Sequence, residues 1–553
     1  MPWETRIDVG GFRIRWSDTQ ARRYLAERHW TRTTMVDAAR AAVAAEPDHV
    51  LLIEGTRRVS RREAWDKALR VAGFFVARGL RPGDVVSFQL PNWWESAIIA
   101  LAARMCGLVI NPVPPIYRES ELAYILADCR AKLIFVPGIF RRFDHKAMVA
   151  KLRHSLPELR DIVVVRDADE LSWEQLMACS PADPSRLPPV DPASVMMVMY
   201  TSGTTGKPKG VLHIHHAFDH RVRAMGEAWH IAPNDIVFMP SPVTHITGAF
   251  WVFDMPWERG CTSVLMDVWT PEDGLRTIEE QRCTVHGGAT PFLQKLLDLA
   301  KDRPPALATL RLFFCGGTTV SPDLIRRASA EFPDCLFFRC YGSTEMTTAT
   351  LGIRDRLQAA LGAETDGEIV YPVEIRIVDP NGDAPVPDGD VGEIIARGPG
   401  LFVGYLSQSD NQEVFNEEGF FRMGDLGRIV HHNYLVVSGR KKDIIIRSGE
   451  NISPKEVEDL LHTHPAVAEI AIVAMPNRTT GERACAFVVP RPGQSIDLAE
   501  IRRFLDEVGL ARQKFPEHIV LVDELPHVAS GKVSKDELRR RARQLAEEQE
   551  SAS

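Results

Sequence analysis

Long apolar runs, paired cysteines and excess positive charge are all scarce in this sequence. The longest apolar candidate, 97–108, is interrupted by Arg104 and falls well short of the ~20 residues a membrane helix needs. The nine cysteines are odd in number and scattered, with no CxxC spacing, so neither a disulfide framework nor a zinc site is expected. Lys and Arg number 66 against 74 Asp and Glu, a formal charge of −8. That balance does not suit a general nucleic-acid binder, which would carry a basic face. The first six residues hold no apolar stretch, so no secretory signal is expected and the expected location is cytoplasmic.

A normal core is nevertheless available. Of the 553 residues 45% are apolar, and that length implies several domains. In the first half, short apolar strand patterns (132–136, 195–199, 235–239, 262–266, 310–314, 336–339) alternate with helical spacing at 96–105 and 117–128. Alternation of this kind predicts α/β sheets with parallel strands, and ligands at their carboxyl ends. After about residue 366 the pattern turns antiparallel (374–378, 392–397, 428–430, 434–437), with His431-His432-Asn433 as a turn. Past Arg440 a smaller α+β unit begins, with helix-start chemistry in Ser453-Pro454-Lys455-Glu456. The expected division is a large domain over 1–441 and a small one over 442–553.

The most informative stretch is Tyr200-Thr201-Ser202-Gly203-Thr204-Thr205-Gly206-Lys207-Pro208-Lys209-Gly210. Its glycines allow sharp turns and close approach to an anion, and its hydroxyls and lysines supply donors and positive charge. An oligophosphate needs these features. The loop is not a Walker A motif, because only two residues separate Gly203 from Gly206 and Pro208 stands where a magnesium-binding hydroxyl belongs.

Further motifs follow in order: Tyr341-Gly342-Ser343-Thr344-Glu345, Gly424-Asp425-Leu426-Gly427, Gly439-Arg440-Lys441-Lys442-Asp443, Ser448-Gly449-Glu450, and Ser530-Gly531-Lys532. Together they make the chain resemble the adenylate-forming superfamily of acyl-CoA synthetases, peptide-synthetase adenylation domains and firefly-type luciferases. Three stretches depart from that pattern: Phe421-Arg422-Met423 before Gly-Asp, Thr319 in place of a common Pro, and 368–372 without a Pro-Gly turn. The segments Pro240-Ser241-Pro242-Val243-Thr244-His245-Ile246-Thr247-Gly248 and Phe140-Arg141-Arg142-Phe143-Asp144 look most like the branch of cyclohexanecarboxylate- and medium-chain-acid CoA ligases.

The resemblance implies a reaction of a carboxylic acid with ATP to give acyl-AMP and pyrophosphate, followed by capture with the thiol of CoA. It places the β- and γ-phosphates on Thr201, Ser202, Gly203, Thr204, Thr205, Gly206 and Lys207. Thr344 would meet the α-phosphate and Glu345 would hold Mg²⁺. Asp425 would take the ribose hydroxyls, Arg440 the ribose or a phosphate, and Tyr341 the adenine, with Gly342, Ser343, Gly317 and Thr318 beside the nucleotide. Lys532 would bridge carboxylate and α-phosphate, and His245 would lie near the acyl carboxylate. His245, Gly248, Phe250, Gly317, Met346 and Thr347 are the expected acyl pocket; they are mostly small or apolar, so an apolar acid is expected. Lys442 would be the hinge of a rotating small domain, and Gly449 would leave room for the thiol arm.

His213, His215 and His216 are expected to be packing or surface residues, not metal ligands. A stand-alone enzyme that loads a carrier protein, a luciferase-like oxygenase and an inactive nucleotide-binding relative are the alternatives. The joint presence of Thr344, Glu345, Asp425, Arg440 and Lys532 disfavours the last.

Overall fold

A computed structural model describes residues 3–551 apart from 170, 202–206, 302, 319, 449 and 528–531. Its two large sheets follow the α/β expectation. The first runs in the order Asp161–Val165, Leu133–Pro137, Val85–Phe88, Val109–Pro112, Val195–Thr201, Lys209–Ile214. Its strands are parallel except for the last pair, an antiparallel hairpin with Thr201 opposite Lys209. The second runs Leu336–Arg339, Leu312–Cys315, Val285–Gly288, Ile236–Met239, Thr262–Leu265, Val50–Glu54, Arg57–Ser60, with only the last strand antiparallel. Strand Leu312–Cys315 starts later than its sequence suggests, because the Leu310 N–H closes a turn onto Leu307 O at 3.0 Å.

Helix Trp94–Met105 is buried from Glu95 to Met105, and it shares one core cluster with residues of both sheets. A helix that is apolar nearly all round has to be enclosed in this way. Its one basic residue, Arg104, is 1% exposed and pairs with Asp254, which has no exposed surface; Arg104 Nη2 donates to Asp254 Oδ2 at 3.0 Å. Asp254 closes a wide π turn, Phe250–Asp254, between helices Ile246–Ala249 and Met255–Arg259. Gly260 then ends the helical stretch at φ 77°, a conformation that favours glycine.

The third sheet is antiparallel: Glu374–Val378, Gly392–Arg397, Phe421–Val430 and Tyr434–Arg440. Its last two strands are longer than expected. A register shift between Leu426 and Gly427 breaks the period of two that marks a strand in sequence. As a result, the Gly424–Gly427 motif lies inside a strand, with Asp425 directly opposite Arg440. His431 and His432 at the hairpin end both take positive φ.

The small sheet, beginning at Ile445, pairs Glu450–Ile452, Ile445–Arg447, Gly481–Pro490 and Val467–Asn477, and His518–Leu521 lies parallel to Gly481–Pro490. Helices Pro454–Leu461 and Leu498–Glu507 contribute to one of its apolar clusters and Lys535–Ser551 to another. The capping box expected at Ser453 does not form. Ser453 precedes the helix, but its hydroxyl donates to Ser438 O, in the strand that ends at Arg440. The hydroxyl thus joins two sheets and leaves the helix end uncapped by this side chain. Among the described residues, no helix is long and apolar enough to cross a membrane. All nine cysteines are free, and most are buried.

The Arg104–Asp254 pair ties helix Trp94–Met105 to the stretch that follows Ile246. Asp254→Ala would leave the Arg104 guanidinium buried and unpaired, so the expected loss is about 3–5 kcal/mol in urea unfolding.

Candidate functional site

Four neighbouring parallel strands of the second sheet end on one edge, and the segments that follow them carry half of the expected site residues. This is where an α/β sheet opens a crevice. After Leu336–Arg339, residues 341–350 fold back on themselves. Thr350 N donates to Tyr341 O at 3.1 Å, Tyr341 N to Thr350 Oγ1 at 2.9 Å, and Ser343 N to Met346 O at 3.1 Å. Gly342 has no room for a side chain, since a Cβ there would lie 2.5 Å from Thr348 N. Thr348 takes φ 48° and is gripped by the buried Arg221, whose Nη2 and Nε donate to its hydroxyl at 2.7 and 3.1 Å. Gly400 makes space for the Arg221 stem, because a Cβ there would meet Arg221 Cδ at 1.9 Å. Thr344 and Glu345 therefore sit on a loop fixed at both ends and from behind.

Glu345 Oε1 accepts from the Tyr405 hydroxyl at 2.8 Å. Burial pushes the Tyr405 phenol up, and the Glu345 charge pushes it further, so it stays a donor. The stretch 401–406 ties two motifs together. Phe402 N donates to Glu345 O at 2.8 Å, while Leu212 N donates to Gly404 O at 3.0 Å and Leu406 N to Gly210 O at 2.8 Å. Lys209 Nζ lies 5.1 Å from the centre of the Tyr405 ring and 3.0 Å from Asp410. The hairpin of the glycine-rich loop and the Glu345 loop are thereby held in one frame. Of that loop, Thr201 ends a strand and Lys207 is exposed, its Nζ 5.7 Å from the centre of the Tyr124 ring. Ser202, Gly203, Thr204, Thr205 and Gly206 lie outside the described residues, as do Gly449, Ser530 and Gly531.

Asp425 is 5% exposed. Its Oδ2 accepts from the Tyr341 hydroxyl at 2.6 Å, and its Oδ1 lies 2.9 Å from Arg440 Nε. Burial pushes its carboxyl up, while Arg440, the Tyr341 hydroxyl and Lys532 pull it back toward the charged form. Asp425 in turn holds the Arg440 guanidinium above its ordinary value. Burial and Arg440 lower the Lys532 ammonium, against the pull of Asp425 and Glu345. Lys532 of the small sheet's region thus reaches the edge of the large sheets and shares one electrostatic neighbourhood with Asp425, Arg440, Glu345 and His245.

His245 follows strand Ile236–Met239 and caps helix Ile246–Ala249, its Nδ1 accepting from Thr247 N at 3.4 Å. Acceptance at Nδ1 assigns the proton of the neutral ring to Nε2. Desolvation, with Lys532 nearby, lowers the imidazole to about 4. Gly248 is buried, and a Cβ on it would stand 2.1 Å from Pro242 O. Phe250 stacks on Phe218 with ring centres 4.1 Å apart, and Met346 has no exposed surface; the two belong to different core clusters. Thr347 is also buried. Gly317 is exposed at φ 80°, and Thr318 pairs hydroxyls with Thr290 at 2.9 Å.

Lys442 is exposed in the turn Lys441–Asp443. Lys441 pairs with Glu393 at 3.1 Å, and Asp443 pairs with Arg539 of the last helix. His213, His215 and His216 are all buried, which corrects the surface alternative and leaves the packing one. His213 abuts the Thr344 backbone, and its burial brings the imidazole to about 4. Tyr405 and Arg221 were not among the expected site residues. A tyrosine after Gly404 in an irregular stretch and an arginine within a helix give no motif to read.

The low value at His245 has a definite sign. Above about pH 6.5 the ring is neutral in both folded and unfolded chains. Below it the unfolded chain binds a proton that the folded ring refuses until about 4, so stability drains as pH falls through that window. His245→Gln should lessen the loss in urea unfolding between about pH 7 and about pH 5, by up to about 2 kcal/mol.

Comparison with known proteins agrees with this geometry. The AMP-binding enzyme family model matches residues 39–406, and that of the AMP-binding enzyme C-terminal domain matches 456–532. The medium-chain fatty-acid–CoA ligase of Escherichia coli K12 is 36% identical over 92% of this chain and 91% of its own. The 2,3-dihydroxybenzoate-AMP ligase of Bacillus subtilis 168 is 30% identical over 95% of this chain and 96% of its own. The solved structure of ATP-bound MatB from Rhodopseudomonas palustris superposes with a TM-score of 0.83 at 27% identity, over 93% of this chain and all of the other. The chain belongs to the AMP-binding enzyme family, the adenylate-forming ligases.

Proposed function

We propose that this protein is an AMP-forming acid–CoA ligase. It joins an apolar carboxylic acid to ATP with release of pyrophosphate, then passes the acyl group to the thiol of CoA. The observation that carries the reading is the reach of Lys532 into the neighbourhood of His245, Glu345, Asp425 and Arg440. A carboxylate attacking the α-phosphate is an anion approaching an anion. The chemistry needs orientation and positive charge more than it needs a protein nucleophile.

In this reading Lys532 lies between the acid's carboxylate and the α-phosphate, and Thr344 donates to the latter. Neutral His245 offers its Nε2 proton to the carboxylate. Asp425 accepts from the ribose hydroxyls, with Tyr341 and Arg440 fixing its oxygens and Tyr341 beside the adenine. Residues 201–207 hold the β- and γ-phosphates, and Gly317, Thr318, Gly342 and Ser343 border the nucleotide. Gly248, Phe250, Gly317, Met346 and Thr347 shape an apolar acyl pocket.

Glu345 suits magnesium. It is a hard carboxylate whose Oε1 is held by the Tyr405 hydroxyl. Among the described residues no group of three or more His, Cys, Asp or Glu could hold a metal. A magnesium ion that keeps phosphate and water ligands takes one or two protein carboxylates, and Glu345 would be one. When bound, Mg²⁺ supplies charge neutralisation on the phosphates.

The small domain, 442–553, turns about Lys442 between the two half-reactions. Support comes from the flanking anchors: Lys441 is tied to Glu393 on the large side and Asp443 to Arg539 on the small side. Gly449 would leave room for the thiol arm in the second pose. The Escherichia coli relative, named for a medium-chain fatty acid and CoA, favours an apolar acid and CoA. The Bacillus subtilis relative, named as an AMP ligase, supports a second reading, in which a carrier protein supplies the thiol.

A panel of alicyclic, aryl, fatty and amino acids, with and without CoA, tests the reaction. Pyrophosphate release with apolar acids and acyl-CoA by mass spectrometry are expected. Acyl-AMP that persists in excess CoA would favour the carrier reading, and ADP with orthophosphate as the sole products would refute both. The half-reactions separate the roles of Lys532 and Gly449. Lys532→Ala should lose ~10²–10³ in acyl-AMP formation yet still turn supplied acyl-AMP and CoA into thioester. Gly449→Leu should show the reverse in the same single-turnover assays.

A further inference from the structure

Asn92 belongs to none of the sequence motifs. It lies 4% exposed, between strand Val85–Phe88 of the first sheet and helix Trp94–Met105. Its side chain reaches across to the end of strand Ile236–Met239 in the second sheet. Val243 N donates to Asn92 Oδ1 at 2.8 Å. Only the oxygen of an amide accepts, so this contact fixes which way the amide faces. The Nδ2 group then donates to Ser241 O at 3.0 Å and Pro240 O at 3.2 Å, with Met239 O at 3.4 Å. One buried side chain therefore gathers the backbone of residues 239–243.

That run leads directly into His245, whose N donates to Pro242 O at 2.9 Å. The opposite side of the run is closed by Gly248, where a Cβ would come within 2.1 Å of Pro242 O. The run is clamped between the Asn92 amide and the start of helix Ile246–Ala249. Asparagine suits the position because it both donates and accepts. An aspartate would face the carbonyls with like charge, and a leucine would leave the buried Val243 N–H and its neighbouring carbonyls without this partner.

We propose that Asn92 is a positioning residue: by clamping residues 239–243 it sets where the His245 ring meets the carboxylate of the substrate acid. This rests on the reading of His245 given above. It also makes the carboxylate site depend on how the two large sheets are seated, since the clamp springs from one and holds a loop of the other.

The test pairs kinetics with a readout that needs no turnover. Asn92→Ala should lower kcat/KM for the acid by about 10²-fold, as a displaced reacting group does, while KM for ATP stays within about twofold. In a His245→Ala background the same substitution should add little. Ring-nitrogen NMR of labelled histidine, with the His245 signal identified by its loss in His245→Gln, should show one neutral tautomer in the wild type and a shifted or mixed one in Asn92→Ala. Asn92→Ser, which keeps a small polar side chain at the position, should fall between the two in both readouts and serves if the alanine variant does not fold. The proposal is overturned if the His245 signal is the same in wild type and Asn92 variants. It is equally overturned if the Asn92 and His245 effects multiply, or if His245→Ala is silent while Asn92→Ala is not. A wild type that activates no acid would refute the ligase reading, and the NMR comparison would still decide on the clamp.

Discussion

Asp425 is a carboxylate with almost no access to water, and it is kept there because two partners reach it from different parts of the chain. The Tyr341 hydroxyl comes from the loop after strand Leu336–Arg339, and Arg440 from the neighbouring strand of the antiparallel sheet. Burial alone would neutralise such a group. Satisfying both oxygens holds the loop of the second sheet and the edge of the third in one orientation. Arg440 also stands at the end of its strand, just before the turn into the small domain. The interaction that stabilises the carboxylate thereby fixes the strand end from which the chain leaves for the small sheet.

A similar economy links the hairpin of the glycine-rich loop to the Glu345 loop. Neither touches the other through its motif residues in the described hydrogen bonds. The stretch 401–406 pairs with Glu345 at one end and with strand Lys209–Ile214 at the other, and Tyr405 adds a side-chain bond to the carboxylate. Main-chain pairing of this kind tolerates many side chains, so it leaves little trace in a sequence.

That difference marks what could be read from the residues. The parallel sheets were legible because their strands are short apolar runs followed by turns, as at Leu336–Arg339. Strand Phe421–Val430 was legible only at its end, because the shift at Leu426 and Gly427 interrupts alternation. The helix start at Ser453 was legible, but the use of its hydroxyl was not: a contact with Ser438 is a tertiary event. Among the candidate site residues, Glu345, Asp425 and Lys532 stood out through the motifs in which they lie and the resemblance those motifs carry. Residues that brace the loops from behind did not: Arg221, on the Thr348 hydroxyl, and Tyr405, on the Glu345 carboxylate, are ordinary side chains until those loops are known.

The electrostatic position of Lys532 has a consequence for the rotation proposed here. While Lys532 is in the cleft, its charge weakens proton binding by Asp425 and His245, and burial weakens its own. In the proposed rotation, withdrawal of Lys532 would remove its charge from Asp425 and His245 and return its own ammonium to water. By linkage, the closed pose would favour the ionised Asp425 and the neutral His245, and outward rotation would release both from that bias.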